Sequence, residues 1–178
     1  MKCSATISML FCILFIMTGQ SPAETGEQTM QIVVDRQDRT ITISLKNAGG
    51  KPAAIILNTY VQSPELVLLN PAGDTVRPFD PRSKMVIDAT PYCYLVETMK
   101  PRSSKLLGTI DEASVSEKKA FEFMRFRFEG LVPGTYTAIA RFESRIESCV
   151  EKRGGMKKRI RNVWLGTIES EPFEIHVR

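Results

Sequence analysis

The clearest pattern of apolar and polar positions in this chain lies in residues 130–144, where a turn leads into a regularly alternating segment. Pro133 has a fixed backbone angle that suits a turn, and Gly134 tolerates the conformations that a turn requires. Every second residue from Tyr136 to Phe142 is apolar and shares one face, whereas the residues between them share the other face. A period of two is typical of an antiparallel strand that is buried on one side. The segment therefore predicts such a strand.

Short apolar segments separated by turn-forming residues occur along the rest of the chain. Strands are predicted at residues 30–34, 41–45, 55–61, 66–69, 92–99, 105–110 and 121–128, and within the C-terminal segment 162–178. Residues 66–78 predict a hairpin around a turn at 70–74. The apolar alternation changes parity near Met124, which indicates a bulge or a strand start there. Only the polar stretch 111–120 favours a short helix.

The first 23 residues have the pattern of an export signal. Lys2 precedes an apolar run at 9–17, and Ser21-Pro22-Ala23 supplies small residues at the expected cleavage positions. The apolar run is much shorter than the ~20 residues that span a bilayer, so we expect cleavage and no transmembrane anchor in the mature protein. The sequence thus predicts a signal peptide at 1–23, a disordered N-terminus at 24–29 and a single domain at 30–178, in a periplasmic or secreted protein.

Seven to nine short strands with little helix bury their inner faces most simply as two packed antiparallel sheets. The segment GLVPGTY resembles the turn into the sixth strand of immunoglobulin-like and fibronectin-type domains, where a tyrosine hydrogen-bonds back across the turn; Tyr136 is the matching position. The closing segment VWLGTIESEPFEIHV resembles the last strand of secreted bacterial immunoglobulin-like domains through Trp164, Gly166 and Ser170. The resemblance, strongest over residues 120–178, implies an all-β, immunoglobulin-like antiparallel β-sandwich.

Cysteine usage predicts one disulfide. Of the four cysteines, Cys3 and Cys12 leave with the leader, so Cys93 and Cys149 remain in a compartment that favours disulfides. Closing a loop of 57 residues would stabilise the fold by about 4 kcal/mol in the chain-entropy model. The alternative of a reactive or metal-bound thiol pair lacks a C-x-x-C spacing. True immunoglobulin domains carry a cysteine at the position of Ala138, where it forms a disulfide between the sheets. A bridge between Cys93 and Cys149 would instead link segments at the end or edge of the sandwich.

The chain offers little chemistry for an enzyme. Its single histidine, His176, lies in the alternating terminal strand, where Phe173, Ile175 and Val177 take the inner face, so the imidazole is expected to point outward. The alternative role, as the base of a serine or cysteine hydrolase, lacks a G-x-S-x-G nucleophile turn. The carboxylates have neither calcium-loop nor zinc spacing, and no glycine-rich phosphate loop is present. We therefore expect a non-enzymatic protein without a cofactor or a metal.

Charge is concentrated in one segment between the last two predicted strands. The net charge of +4 is too small to indicate nucleic acid as a partner. The segment 152–161 is rich in lysine and arginine, and a basic loop of this kind can bind an anionic polymer or a membrane surface. Alternatively, Glu143, Glu147 and Glu151 could neutralise it by pairing across a hairpin. Six cations surround two glycines in this candidate binding loop: Lys152, Arg153, Lys157, Lys158, Arg159 and Arg161.

The only tryptophan, Trp164, lies close to this basic loop, so two roles are open. It could be an exposed interface anchor or sugar platform, or it could pack between the sheets; the strand pattern beside Val163 and Leu165 favours packing.

The sequence leads to one expected function and two alternatives. Export, a sandwich fold and missing catalytic chemistry indicate a protein-binding module of the cell envelope, acting as an inhibitor, an adaptor or an assembly component through its edges or end loops. Its partner would be another envelope or extracellular protein. The alternatives are a binder of an anionic polymer or membrane surface through the basic loop and, less favoured, a hydrolase that uses His176.

Overall fold

The computed structural model describes residues 29–57, 63–79, 92–93, 96–146, 149–153, 156–160 and 163–178. These residues form fourteen strands and one short helix, α1, at Glu112–Lys118. The all-β class and the position of the helix are therefore as the sequence predicts. The strands are β1 (Met30–Gln37), β2 (Thr40–Asn47), β3 (Ala53–Ile56), β4 (Glu65–Leu69), β5 (Tyr92–Cys93), β6 (Val96–Met99), β7 (Ser104–Asp111), β8 (Ala120–Phe123), β9 (Phe126–Glu129), β10 (Gly134–Ser144), β11 (Cys149–Arg153), β12 (Met156–Ile160), β13 (Gly166–Glu169) and β14 (Phe173–Val177).

Two antiparallel sheets form the sandwich. In the first sheet, β2 lies between β1 and β7. In the second sheet, β10 lies in the middle; β4 pairs with one of its sides, and β14 and β13 pair with successive parts of the other. The apolar faces of the two sheets meet in a core that contains fully buried residues from both: Ile41, Ile43, Leu45, Leu68, Phe142 and Ile175.

The strand β10 has the alternation that its sequence predicts. Residues 136, 138, 140 and 142 are buried, and the residues between them are partly exposed. The Tyr136 hydroxyl donates to the Val132 carbonyl at 3.1 Å and accepts from the Val132 N–H at 2.9 Å. The hydrogen bond across the turn, which the resemblance implies for Tyr136, is therefore present.

β1 and β2 form a tight hairpin whose register runs from Met30 opposite Asn47 to Gln37 opposite Thr40. Asp38 in the two-residue turn has a φ of 53°, the left-handed conformation that such turns require and that aspartate tolerates. One residue before β1, the Thr29 carbonyl accepts the N–H of Ala48 at 2.7 Å. Because hydrogen-bonded and non-hydrogen-bonded pairs alternate along an antiparallel ladder, residues 31, 33, 35 and 37 bond to β2. The backbone groups of residues 30, 32, 34 and 36 point away from it.

The described residues contain more strands than the sequence pattern indicates, because several predicted strands are divided and because the predicted basic connection after β10 forms β11 and β12. The segment 92–99 contributes β5 to one small sheet, beside β11, and β6 to another, beside β3. The change of parity near Met124 is caused by a turn between β8 and β9, where Met124 has a φ of 56°. Phe121 and Phe128 stack across this hairpin with ring centroids 4.9 Å apart. The predicted strand 55–61 overlaps the end of β3 at residues 55 and 56, and residues 58–61 lie outside the described residues.

The helix α1 is held at both ends by local hydrogen bonds. Asp111 caps its N-terminus by accepting the N–H of Ala113 at 3.1 Å. At the other end Lys119 adopts the left-handed conformation and its N–H donates to the Val115 carbonyl. Val115 belongs to the core and Glu112 is also buried, so the helix packs on the core through this side.

Candidate functional site

The open edge of the first sheet is the principal candidate surface. Among the described residues β1 pairs with β2 alone, so its other side carries no ladder partner. The unpaired side spans eight residues, about 26 Å at the usual rise of a strand. Ile32 and Val34 are only partly buried, and they lie opposite Leu45 and Ile43 of β2. These two apolar side chains therefore share the face of the sheet that covers the core.

A groove of about 290 Å³ runs beside this edge. Ile32, Val34 and Arg36 form one wall, and residues 170–173, which comprise the connection after β13 and the first residue of β14, form the other. Phe173 packs partly against the core, while Pro172 and Glu171 are exposed. The groove is several times larger than one water molecule, about 30 Å³, so it can accept an apolar side chain. We call β1 together with this groove the edge site.

An ion pair closes one end of the edge site. The Arg36 Nη1 atom lies 2.9 Å from Glu112 Oε2, and the Arg36 Nη2 atom donates to the carbonyl of Glu174. Glu112 is buried, and its Oε1 atom accepts the backbone N–H of His176 at 2.7 Å. One carboxylate thus joins β1, α1 and β14, and it neutralises the cation in the groove. Glu171, which lines the groove, is exposed, and Asp35 is exposed on the opposite face of β1.

The strands that carry the two candidate disulfide cysteines are neighbours. β5 pairs in parallel with β11, and the register places Cys93 opposite Glu151, two positions after Cys149. The side chains of Cys93 and Cys149 lie outside the described residues, so the disulfide stays a prediction.

The candidate basic loop forms a hairpin of β11 and β12. Its register places Lys152 opposite Lys157, Glu151 opposite Lys158 and Val150 opposite Arg159. Arg159 is exposed; Arg161 and the side chains of Lys152, Arg153, Lys157 and Lys158 lie outside the described residues.

Glu143, one of the acids that could neutralise this hairpin, has a different partner. Its carboxylate accepts two hydrogen bonds from Arg145, at 2.6 and 2.7 Å. These hydrogen bonds, together with the nearby charge of Arg145, lower the pKa of Glu143 and raise that of Arg145. Glu147 lies outside the described residues. Within the described part of the chain, Glu151 is therefore the acid that the register sets against the hairpin cations.

Trp164 and His176 occupy the positions that their patterns favour. Trp164 is buried, and its ring stacks on Phe142 with centroids 6.0 Å apart, so its role is packing. The His176 side chain points outward, with Nδ1 3.2 Å from the Thr135 hydroxyl and Nε2 3.7 Å from a Glu174 oxygen. Neither neighbour is the activated serine or cysteine that a hydrolase would require.

The described residues contain no group of three histidine, cysteine, aspartate or glutamate side chains placed to hold a metal ion. They also contain no helix with the length and apolarity that crossing a bilayer requires. A scan against protein-family models and a search of curated proteins both find no match to this chain.

Proposed function

We propose that this chain is an exported, non-enzymatic protein-binding module of a cell envelope, which acts as an inhibitor, an adaptor or an assembly component. The observation that carries the proposal is the edge site. An unpaired strand beside an apolar groove offers main-chain hydrogen bonds and a side-chain pocket, which are the means by which sheets bind other polypeptides. The leader-like pattern of residues 1–23 supports export.

An immunoglobulin-like classification belongs to the same proposal. The hydrogen bonds between Tyr136 and Val132 support it, because a tyrosine at this turn is a hallmark of such sandwiches. A fold of this type defines no activity by itself. The proposed function therefore depends on the surface of this particular chain.

Photo-crosslinking in the producing cell tests the proposal. A photoreactive amino acid is placed at exposed Gln31 in β1 and, as the matched control, at exposed Arg102 in the turn before β7. We expect one protein to be crosslinked from position 31 and not from position 102, and the reciprocal purification to recover this chain. The mature protein should begin at residue 24 in the envelope fraction. An intact leader on cytoplasmic protein, or equal labelling from both positions, contradicts the proposal.

A second function, binding to a polyanionic surface through the β11–β12 hairpin, is favoured by the register of that hairpin. Lys152 lies opposite Lys157, and like charges at directly opposite positions destabilise a strand pair. In the same register Glu151 is the one acid among these strand positions, opposite Lys158, against five cations. A bound anionic surface would remove this repulsion.

Binding to phosphatidylglycerol vesicles and to dextran sulfate, measured over a salt series, tests this second function and separates a membrane from a polymer. Replacing Lys157, Lys158 and Arg159 with Gln should weaken binding and flatten its dependence on salt. Replacing Lys51, Lys100 and Lys118, three exposed lysines elsewhere, with Gln changes the net charge equally and should have a much smaller effect. Equal losses in the two triple variants would leave no role for the hairpin.

A further inference from the structure

We propose that the edge site binds an extended segment of another polypeptide by strand addition to β1, with an apolar side chain inserted between Val34 and Phe173. The inference rests on the proposed protein-binding function and names the chemistry of the partner. The bound segment has apolar residues at alternate positions and carries a lysine or an arginine.

The backbone of β1 requires an extended partner. The ladder alternation assigns the N–H and C=O groups of Ile32, Val34 and Arg36 to the side that faces away from β2. No described residue pairs with that side. Backbone groups at every second residue match the spacing of another strand, because only an extended chain presents donors and acceptors with this period.

The groove requires an apolar side chain at alternate positions of the partner. Ile32 and Val34 point to the core face of the sheet and line the groove opposite Pro172 and Phe173. A strand added to β1 directs every second side chain to that same face. The side chain of this set that lies beside Val34 enters the groove, whereas the side chains between them face solvent.

The charges beside the groove favour a basic partner. Arg36 is already paired with Glu112 and with the Glu174 carbonyl, so it has no uncompensated positive charge to offer. Asp35 and Glu171 are exposed. Asp35 lies on the solvent face of β1 and Glu171 beside the groove, so a cation on the bound segment gains a favourable interaction from either face.

Hydrogen exchange measured by NMR on the full mature chain tests the inference with a defined probe. The probe is a capped octapeptide in which valine alternates with threonine and a lysine stands at each end. At a peptide concentration of about ten times its Kd, exchange of the Ile32, Val34 and Arg36 amides should slow about tenfold. Exchange of the Val33 and Asp35 amides, which already bond to β2, should be unchanged. The same peptide with N-methyl groups at alternate residues should have no effect.

Two variants at position 34 and a control variant at position 33 separate binding from folding. Val34→Pro removes an outward donor and no bond to β2, so the protein should keep its thermal stability and bind the peptide up to about tenfold more weakly. Val33→Pro removes a bond to β2 and should lower the thermal stability instead. Val34→Lys keeps the backbone donor but places a charge in the groove, and it should also weaken binding, by at least about tenfold. If Val34→Pro unfolds the chain, the effect of Val34→Lys on peptide binding decides whether the segment binds at β1.

The inference is wrong if millimolar peptide does not slow amide exchange in β1. It is also wrong if exchange slows at Val33 and Asp35 or on another strand instead. Failure of the proposed function has a different signature. If the peptide protects β1 but photo-crosslinking finds no protein partner, strand addition stands and the protein-binding function fails. If a partner is crosslinked away from β1, the function stands and the edge site is wrong.

Discussion

Gly134 lies so close to Pro71 that a Cβ atom at position 134 would stand 2.5 Å from the Pro71 Cγ atom. The backbone of Gly134 also has a φ of 151°, which side-chain-bearing residues rarely adopt. Pro71 belongs to the turn after β4, and Gly134 is the first residue of β10. The glycine therefore allows the β4 turn to pack directly on the start of the central strand.

Gly134→Ala should lower the free energy of unfolding by about 2–4 kcal/mol, because it combines backbone strain with a steric overlap. Gly73→Ala is the matched control, since Gly73 also has a positive φ, 87°, but a Cβ atom added there would meet no other atom within 4 Å. This control should cost only about 1 kcal/mol. Adding Pro71→Ala should restore part of the stability of the first variant. Equal losses for the two glycines in urea unfolding would contradict the close approach.

Tyr136→Phe should destabilise the fold by about 1–2 kcal/mol, because the hydroxyl makes both hydrogen bonds to Val132 in a largely buried setting. The corresponding fall in Tm is about 3–6 °C for a chain of this size. Thr135→Val removes an exposed hydroxyl next to His176 and should change the Tm very little. If calorimetry shows the two variants to be equally stable, the Tyr136 hydroxyl does not stabilise the turn.

Glu112→Gln should destabilise the fold by about 1–3 kcal/mol. The amide can still accept the His176 N–H, but the charge that balances Arg36 is lost. Arg36→Met removes the other, more exposed member of this ion pair. The variant that carries both changes should lose less free energy of unfolding than the two single variants lose together. Strictly additive losses in denaturant titrations would show that the two charges do not interact.

The mature protein purified without reductant should contain no free thiol, because Cys93 and Cys149 are expected to be joined. Peptide mapping should recover the pair as one linked fragment, and reduction should lower stability by up to about 4 kcal/mol. Cys93→Ser and Cys149→Ser should each reproduce the effect of reduction. Two titratable thiols in the unfolded, unreduced protein would exclude the bridge.

The strands of the second sheet could be anticipated largely from the sequence, because local patterns determine where each strand forms. The alternation through Tyr136 and Phe142 needs no knowledge of the partners of β10, and a proline followed by a glycine marks the turn before it. The helix was also visible, since Asp111 is a standard N-cap at the start of a polar stretch. Both features depend on neighbours within a few residues.

The edge site could not be predicted in the same way. Whether β1 is a central or an edge strand depends on the order of strands far apart in the sequence. Glu112 stands in a polar stretch and resembles a solvated residue, yet it is buried because Arg36 and the N–H of His176 meet it from distant strands. The change of parity near Met124 marked an irregularity within residues 121–128, but methionine is not a usual turn residue, so the pattern did not show that a left-handed turn divides them into two strands.

The position of β14 in the sandwich has a consequence for how the chain reaches its native state. Ile175 and Val177 complete the buried interior, and β14 pairs with β10, about forty residues earlier. A growing polypeptide therefore has exposed apolar surface on β4 and β10 until residue 177 has been synthesised, and the interior cannot close before then. During that interval the apolar faces of β4 and β10 are the surface that a protein shielding unfolded segments would bind.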